Sequence, residues 1–170
     1  MQGFQLGHLP SRLKDKDVCL VIPGLFDLVW LSRALRDADV EIRENLGLKR
    51  APGACTSTFL LLRLFNWVYL IRTKNNRVGL LGIYDWEPGQ HAFLSVVIWS
   101  DTQRDRGIGS SAVRLAMEGL VENGLCKEFF VEVKECNYRG IRFWERNGFS
   151  QINTRDGIVL MCLSWGQGCQ

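Results

Sequence analysis

The chain has 170 residues, of which 46% are hydrophobic and 23% charged, and its formal net charge is +3. This length predicts a single globular domain, residues 1–170. The small charge and the lack of Lys/Arg runs argue against nucleic acid as a partner. No stretch approaches the ~20 apolar residues of a membrane-spanning helix, and no signal peptide is evident, so we expect a cytoplasmic protein without a membrane partner.

The cysteines and histidines give no sign of a metal site. Without an export signal, reduced and mostly buried thiols are expected instead of disulfides. There is no CxxC pair, and the two histidines, His8 and His91, lie far apart. The cysteines are irregularly spaced: Cys19, Cys55, Cys126, Cys136, Cys162 and Cys169.

The first third of the chain predicts a strand followed by helices. Residues 17–22 are β-rich. Residues 26–45 carry apolar side chains at helical spacing among charges, which predicts one or two helices running to Gly47. Residues 49–56 are expected to form a loop, and residues 57–65 are short and apolar enough to fit either a helix or a strand.

Three antiparallel strands are predicted next. Residues 67–73 and 78–86 form a hairpin around Asn75-Asn76, and a second turn at Pro88-Gly89 leads to a strand at residues 93–99. The remaining predicted elements are a helix at 107–123 closed by Gly124, a strand at 129–133, a helix at 137–147 stopped by Gly148, and a hairpin of strands 149–153 and 158–165.

This order predicts a mixed α/β sheet with one parallel step. The step runs from strand 93–99 through helix 107–123 to strand 129–133, with the right-handed crossover that such units adopt.

The segment that enters the long helix predicts a phosphate site. Gly107 and Gly109 let the backbone turn tightly and leave room for a phosphate, and the free N–H groups of a helix N-terminus favour an anion. Arg104 and Arg106 can add positive charge. The simpler interpretation is a glycine-capped helix start with two solvated arginines.

Two other phosphate-binding motifs were weighed. A P-loop requires a Gly-Lys-Ser/Thr ending, which is absent. Residues 107–112 match G-x-G-x-x-A, and Glu132 follows roughly 20 residues later, as in dinucleotide-binding domains. However, a polar segment separates strand from glycine, and too little chain follows for the remaining strands. We therefore reject a dinucleotide-binding oxidoreductase, which bound NAD(P)H would reveal by its absorbance.

A second part of the sequence decides between these interpretations of the glycine loop. It consists of Val131–Asn137 (VEVKECN) and Phe143–Phe149 (FWERNGF). Together with the glycine loop, these residues resemble the GCN5-related N-acetyltransferase (GNAT) superfamily. Its phosphate loop, Q/R-x-x-G-x-G/A, is met by Arg104, Gly107 and Gly109. Its downstream half reads L/V-x-V, three residues, Asn, then aromatic-Glu-Lys/Arg-x-Gly-Phe, and both halves occur in the family's order and separation.

The resemblance implies a mostly antiparallel sheet with a splayed parallel strand pair and helices on both faces. It also implies an enzyme that uses acetyl-CoA as co-substrate and transfers the acetyl group to a primary amine by direct attack in a ternary complex. The acceptor would be a small-molecule or peptide amine. The alternative is an acyl-CoA-binding regulatory module with little or no turnover.

The resemblance further implies which residues hold acetyl-CoA. The pantetheine arm would bond the backbone of the first splayed strand, at Val97, Ile98 and Trp99. Asn137 matches an asparagine that bonds the CoA arm, and it also suits a helix N-cap. The pyrophosphate would lie on the backbone amides of the glycine loop: Arg104, Asp105, Arg106, Gly107, Ile108, Gly109 and Ser110. Arg139 and Arg142 could approach the adenosine phosphates, although a solvated helix face is the favoured interpretation.

The catalytic prediction centres on Glu132, at the splayed end of the second strand. It matches a glutamate that the ribosomal-protein alanine acetyltransferase branch uses as base, and the alternative is a solvated strand residue. His91 is set aside because it is expected to lie more than about 20 Å along its strand from the splay, at ~3.3 Å per residue.

The chain departs from the family at Trp144. At this position many members carry a tyrosine that protonates the CoA thiolate as it leaves. An indole N–H cannot deliver that proton. The thiolate then leaves with help from solvent, or Tyr138 or Cys136 serves, while the large aromatic ring still fills the position.

The acceptor site is expected between the first two helices and the last hairpin, near residues 154–157. The early helical region is locally acidic, which suits a cationic acceptor, and some of the six tryptophans could serve a homodimer interface. The acidic residues are Asp37, Asp39, Glu41 and Glu44.

Overall fold

A computed structural model describes residues 10–37, 67–74, 76–99 and 104–166. Within these ranges the chain forms eight strands and three helices. In chain order they are β1 (Arg12–Lys14), β2 (Cys19–Val21), α1 (Leu25–Asp37), β3 (Trp67–Thr73), β4 (Asn76–Glu87), β5 (His91–Ile98), α2 (Ile108–Glu122), β6 (Glu128–Lys134), α3 (Tyr138–Arg146), β7 (Ser150–Arg155) and β8 (Ile158–Ser164).

The strands form one sheet in the order β1-β2-β3-β4-β5-β6-β8-β7. Neighbouring strands are antiparallel except β5 and β6, which run parallel on either side of the α2 crossover. The predicted mixed α/β sheet with one parallel step is therefore confirmed. Sequence analysis did not predict β1, a three-residue strand whose Leu13 pairs with Leu20 of β2. Its single leucine between two charged residues carries too little pattern to be recognised.

The predicted helix near residue 26 is confirmed from Leu25 to Asp37. The rest of the predicted helical region, the loop at 49–56 and the ambiguous segment at 57–65 lie outside the described residues. The helix stops at Gly124 and Gly148 are confirmed, because both glycines adopt the left-handed conformation directly after a helix, with φ of 66° and 90°.

The two faces of the sheet bury different side chains. On the face covered by α2, alternate residues of β5 and β6 pack against α2, among them Leu94, Phe129 and Val131. On the opposite face, Leu31 of α1 packs against Leu80 and neighbouring strand residues. Each fully buried side chain of this size contributes roughly 1.5–3 kcal/mol through removal from water. We call these the α2 face and the α1 face.

An ion pair fixes α1 to the sheet. Asp27 accepts from Arg77 of β4 at 2.8 Å and from the Gly24 amide at 3.1 Å, and the Arg77 guanidinium lies 5.6 Å from the centre of the Trp30 ring. Burial opposes ionisation of Asp27, but the Gly24 amide and Arg77 hold its pKa below the usual value. The first helix is therefore fastened to the strand that borders β5.

Close approach of backbones requires a glycine at position 79. A Cβ there would collide with the carbonyl oxygen of Val97 and stand 2.9 Å from Ile98 Cδ1. We expect Gly79→Ala to lower the free energy of unfolding by about 1–3 kcal/mol or more, since the obstructing atom is backbone. Gly24→Ala is the control, because its Cβ would meet only Asp27 Oδ2 at 3.7 Å. Chemical denaturation that gave equal stabilities for the two variants would contradict this assignment.

Candidate functional site

The two parallel strands separate after three paired positions. His91, Ala92 and Phe93 of β5 pair with Glu128, Phe129 and Phe130 of β6. Beyond them, β5 continues to Ile98 while paired only with β4. Strand β6 continues to Lys134 while paired with β8. The resulting opening is the splay that the resemblance implied. It begins directly after Phe93, two residues along β5 from His91, so the predicted distance of more than about 20 Å between His91 and the splay was wrong.

The register of β5 determines which backbone groups face this opening. The Trp99 N–H donates to the Val78 carbonyl at 3.0 Å, so Trp99 and, by alternation along an antiparallel ladder, Val97 direct their polar groups toward β4. The groups of Val96 and Ile98 point the other way. The Arg104 Nε confirms this direction, because it donates to the Ile98 carbonyl at 3.2 Å.

This register reduces the number of β5 residues whose backbone groups could hold the pantetheine arm. Of Val97, Ile98 and Trp99, only Ile98 presents its backbone to the opening, and Val96 joins it. Sequence reasoning missed Val96, since alternation between edges depends on the pairing with β4 and leaves no mark in residue type.

The glycine loop forms an open cradle at the start of α2. Asp105 and Gly107 both have positive φ, 57° and 75°, and Gly107 is the N-cap residue. The first N–H groups of α2, from Ile108 to Ser110, have no acceptor within the helix, because no helical residue lies four positions before them. Among the described residues, no heavy atom lies within 4 Å of where a Cβ on Gly107 would stand. Left-handed turns followed by free amides are a recurrent anion-binding arrangement.

Helix α3 holds this loop in place. Arg139 forms an ion pair with Asp105 at 2.8 Å, and Phe143 lies 3.1 Å from where a Cβ on Gly109 would be. Arg139 was expected on a solvated helix face, and the structure instead pairs it with the loop, although both side chains are more than half exposed. The glycine at 109 thus permits contact between the two helices, while Gly107 permits the turn.

Asn137 and Trp144 have clear structural roles. Asn137 caps α3 through a hydrogen bond from the Gly140 N–H to its side-chain oxygen at 2.8 Å. Trp144 is only 6% exposed and packs edge-on against Phe143 and Phe149. The ring of Trp144 thus fills a buried position, and its predicted place in the acetyl-CoA site stays a prediction. The two alternative proton donors, Tyr138 and Cys136, are exposed around the start of α3.

Glu132 lies on the α1 face, two residues past Phe130, which is the last residue of β6 that pairs with β5. It is exposed, whereas its neighbours Val131 and Val133 are buried on the α2 face. The turn between β7 and β8 is close to the end of this strand, because the Glu135 N–H donates to the Gly157 carbonyl at 2.8 Å. The turn of the predicted acceptor hairpin therefore lies next to the end of β6 that carries the predicted base, on the side of β6 away from β5. Asp39, Glu41 and Glu44 lie outside the described residues.

A row of aromatic side chains, which sequence analysis overlooked, crosses the α1 face at the base of the opening. The ring centres of Phe93 and Phe130 are 5.3 Å apart and those of Tyr84 and Phe93 are 5.4 Å apart. Burial, with the negative charges of Glu132 and Asp85, raises the pKa of Tyr84 far above its usual value. Tyr84 is thus a neutral phenol across all ordinary pH. Period-two alternation in β5 and β6 was the signal that could have identified this row.

Comparison with known proteins identifies the family. Residues 39–149, well over half of the chain, match the acetyltransferase (GNAT) family. The chain belongs to the GNAT acetyltransferase family. Enzymes of this family use acetyl-CoA as co-substrate. Curated protein sequences include no significant match to this chain.

Several solved GNAT structures share this fold. The aminoglycoside acetyltransferase AAC(6')-Ib in complex with coenzyme A superposes with a TM-score of 0.71 at 20% identity, covering 86% of this chain and 94% of that one. The Microcin C7 self immunity acetyltransferase MccE, in complex with acetyl-CoA and AMP, gives 0.73 at 13% identity over 91% and 97%. The ribosomal L7/L12 α-N-protein acetyltransferase RimL, in complex with coenzyme A, gives 0.68 at 15% identity over 92% and 97%.

Two negative observations apply to the described residues. None of the helices in these ranges is both long and apolar enough to cross a membrane. In the same part of the chain, no group of three or more His, Cys, Asp or Glu side chains could hold a metal ion.

The two ends of α2 provide a matched test of the phosphate cradle. Gly107 and Gly124 have φ of 75° and 66° and both lack described neighbours at the Cβ position, so alanine at either should cost about 1–2 kcal/mol of strain. We expect only Gly107→Ala to weaken acetyl-CoA binding, by about tenfold, because its Cβ would stand in the open space of the cradle and keep a phosphate oxygen from full hydrogen-bond contact with the helix amides. Calorimetric titration of both variants measures this. Equal affinities would show that the phosphates bind elsewhere.

Proposed function

We propose that this protein transfers the acetyl group of acetyl-CoA to a primary amine by direct attack in a ternary complex. The observation that carries the proposal is the proximity of two features. The open edge of β5 lies beside the cradle at the start of α2, because Arg104 donates to the Ile98 carbonyl at 3.2 Å and Ile98 Cγ1 lies 3.9 Å from where a Cβ on Gly109 would stand. A ligand with an extended arm that ends in a pyrophosphate fits both features: the arm would pair with the edge of β5, and the pyrophosphate would bind at the cradle.

Backbone groups of this chain would make most of the contacts to acetyl-CoA. Along β5 the backbone groups of Val96 and the N–H of Ile98 point toward the opening, whereas the Ile98 carbonyl already accepts from Arg104. The amides of Ile108, Gly109 and Ser110 lie at the N-terminus of α2 beside the cradle. Acetyl-CoA supplies the activated thioester. Arg104 already ties the loop to the strand edge, so the two halves of the site keep a fixed separation.

Glu132 is the base in this proposal. An alkyl ammonium acceptor has a pKa near ~10 and must lose a proton before its nitrogen can attack. The carboxylate of Glu132 is exposed on the α1 face at the opening, where an acceptor can enter opposite the α2 helix. Burial and then the negative charge of Glu132 raise the pKa of Tyr84, so a neutral phenol lies near this carboxylate.

The buried Trp144 favours one alternative, an acyl-CoA-binding module with little turnover. Its indole is sealed among Phe143 and Phe149 and offers no acidic proton to a departing thiolate. In an enzyme, solvent must protonate the thiolate, or the exposed Tyr138 or Cys136 must do so.

Titration calorimetry separates these functions. We expect acetyl-CoA to bind with micromolar affinity and NADH not to bind, and CoA release to follow when a suitable amine is added. Tight binding of acetyl-CoA with no CoA release from any amine would favour the binding module. No binding of acetyl-CoA, or a preference for NADH, would contradict both.

The role of Glu132 is tested by its neutral isostere. We expect Glu132→Gln to reduce kcat about 100-fold or more, the usual contribution of a positioned base, with unchanged affinity for acetyl-CoA. Glu122→Gln, at the exposed end of α2, is the control and should retain full activity. A Glu132→Gln enzyme with normal kcat between pH 6 and 9 would remove this residue from the mechanism.

A further inference from the structure

Strand β6 presents an acid–aromatic–acid stripe on the α1 face. Its alternate residues Glu128, Phe130 and Glu132 share that face, with both glutamates exposed and the phenylalanine half-buried between them. Four residues of strand separate the two carboxylates, which corresponds to about 13 Å. The stripe begins in the paired part of β6 and ends in the opening.

The stripe borders the aromatic row at the base of the splay. Phe130 stacks on Phe93 with an angle of 25° between the rings, and His91 meets Phe130 edge-on with ring centres 5.6 Å apart. These side chains are only partly buried, so an apolar surface lies between the two carboxylates and next to the reacting centre. Its continuity with the opening makes it the floor over which an acceptor would extend.

The charges around this floor are mostly negative. Glu87 is exposed beside His91, with 3.6 Å between its carboxylate and the imidazole Nδ1. Cys162 of β8 pairs with Phe130, and burial, together with the charge of Glu128, raises the pKa of the Cys162 thiol. The basic side chain of β6 on this face, Lys134, lies beyond Glu132 at the opposite end of the stripe.

We propose that the acceptor is a linear molecule with two positively charged nitrogens separated by an apolar chain. One nitrogen is acetylated beside Glu132, the chain lies over Phe130 and Phe93, and the second nitrogen stays charged beside Glu128. This inference rests on the proposed acetyltransferase function and specifies its substrate class.

The reaction balances without a further reactant. The acceptor nitrogen forms a bond to the thioester carbonyl carbon as the bond from carbon to sulfur breaks. The ammonium group loses two protons in total: one passes through Glu132 to solvent, and one is matched by protonation of the CoA thiolate. The second nitrogen takes no part, so its contribution is to binding alone.

A matched pair of acceptors tests the second charge. We expect 1,8-diaminooctane to exceed octylamine in kcat/KM by about fivefold beyond the statistical factor of two for its identical ends, the upper range for an exposed ion pair. In Glu128→Gln the ratio of the two kcat/KM values should fall to the statistical factor. In Glu122→Gln it should equal the wild-type ratio. CoA release measured by thiol titration gives each value.

Three results would overturn the inference. The diamine could prove no better than octylamine, its advantage could persist in Glu128→Gln, or Glu122→Gln could remove it equally. If acetyl-CoA binds and octylamine is acetylated, the proposed function stands whichever of these occurs. If no amine turns over, calorimetric titration of 1,8-diaminooctane into the wild type and Glu128→Gln, each with CoA present, decides: equal affinities contradict the site.

Discussion

The structure depends on one unsatisfied edge. Strand β5 keeps its hydrogen bonds to β4 along its whole length, but β6 turns away from it after Phe93 to stay paired with β8. Backbone N–H and C=O groups left in the middle of a sheet require partners. Arg104 satisfies the Ile98 carbonyl, and the remaining groups face an opening that an extended ligand can fill as an additional strand. The acetyl-CoA site that we propose follows from this divergence of β5 and β6 more than from any side chain.

The elements around the opening act as its supports. Gly79 lets β4 approach β5 closely, while α3 holds the phosphate loop through Arg139 and through the contact of Phe143 with Gly109. The family signature is therefore split between two distant segments of the sequence that meet at one helix N-terminus. The α2 face supplies the packed core, and the α1 face remains accessible beside Glu132. In the proposed function, the co-substrate phosphates and the acceptor would therefore lie on different sides of the same gap.

Features set by local chemistry could be predicted from the sequence. The glycines at 107 and 124 mark the ends of α2, the Asn137 cap starts α3, and strand patterns gave the parallel step, because each depends on residues close in the chain. Features that depend on how the strands pair could not be predicted from the sequence. The finding that Val96, and not Val97 or Trp99, directs its backbone groups toward the opening depends on the register between β4 and β5. Strand β1 is recognisable only by its pairing with β2. The aromatic row consists of residues from three different strands.

The most direct test of the central claim is amide hydrogen exchange measured by NMR with and without acetyl-CoA. The Trp99 N–H donates to Val78, and Val97 follows the same direction, so both should be protected in the free protein. The account predicts that Val96 and Ile98 exchange quickly in the free protein and become protected on addition of acetyl-CoA. Unchanged exchange at Val96 and Ile98 under saturating acetyl-CoA would show that the arm does not bind along β5 and would contradict the account.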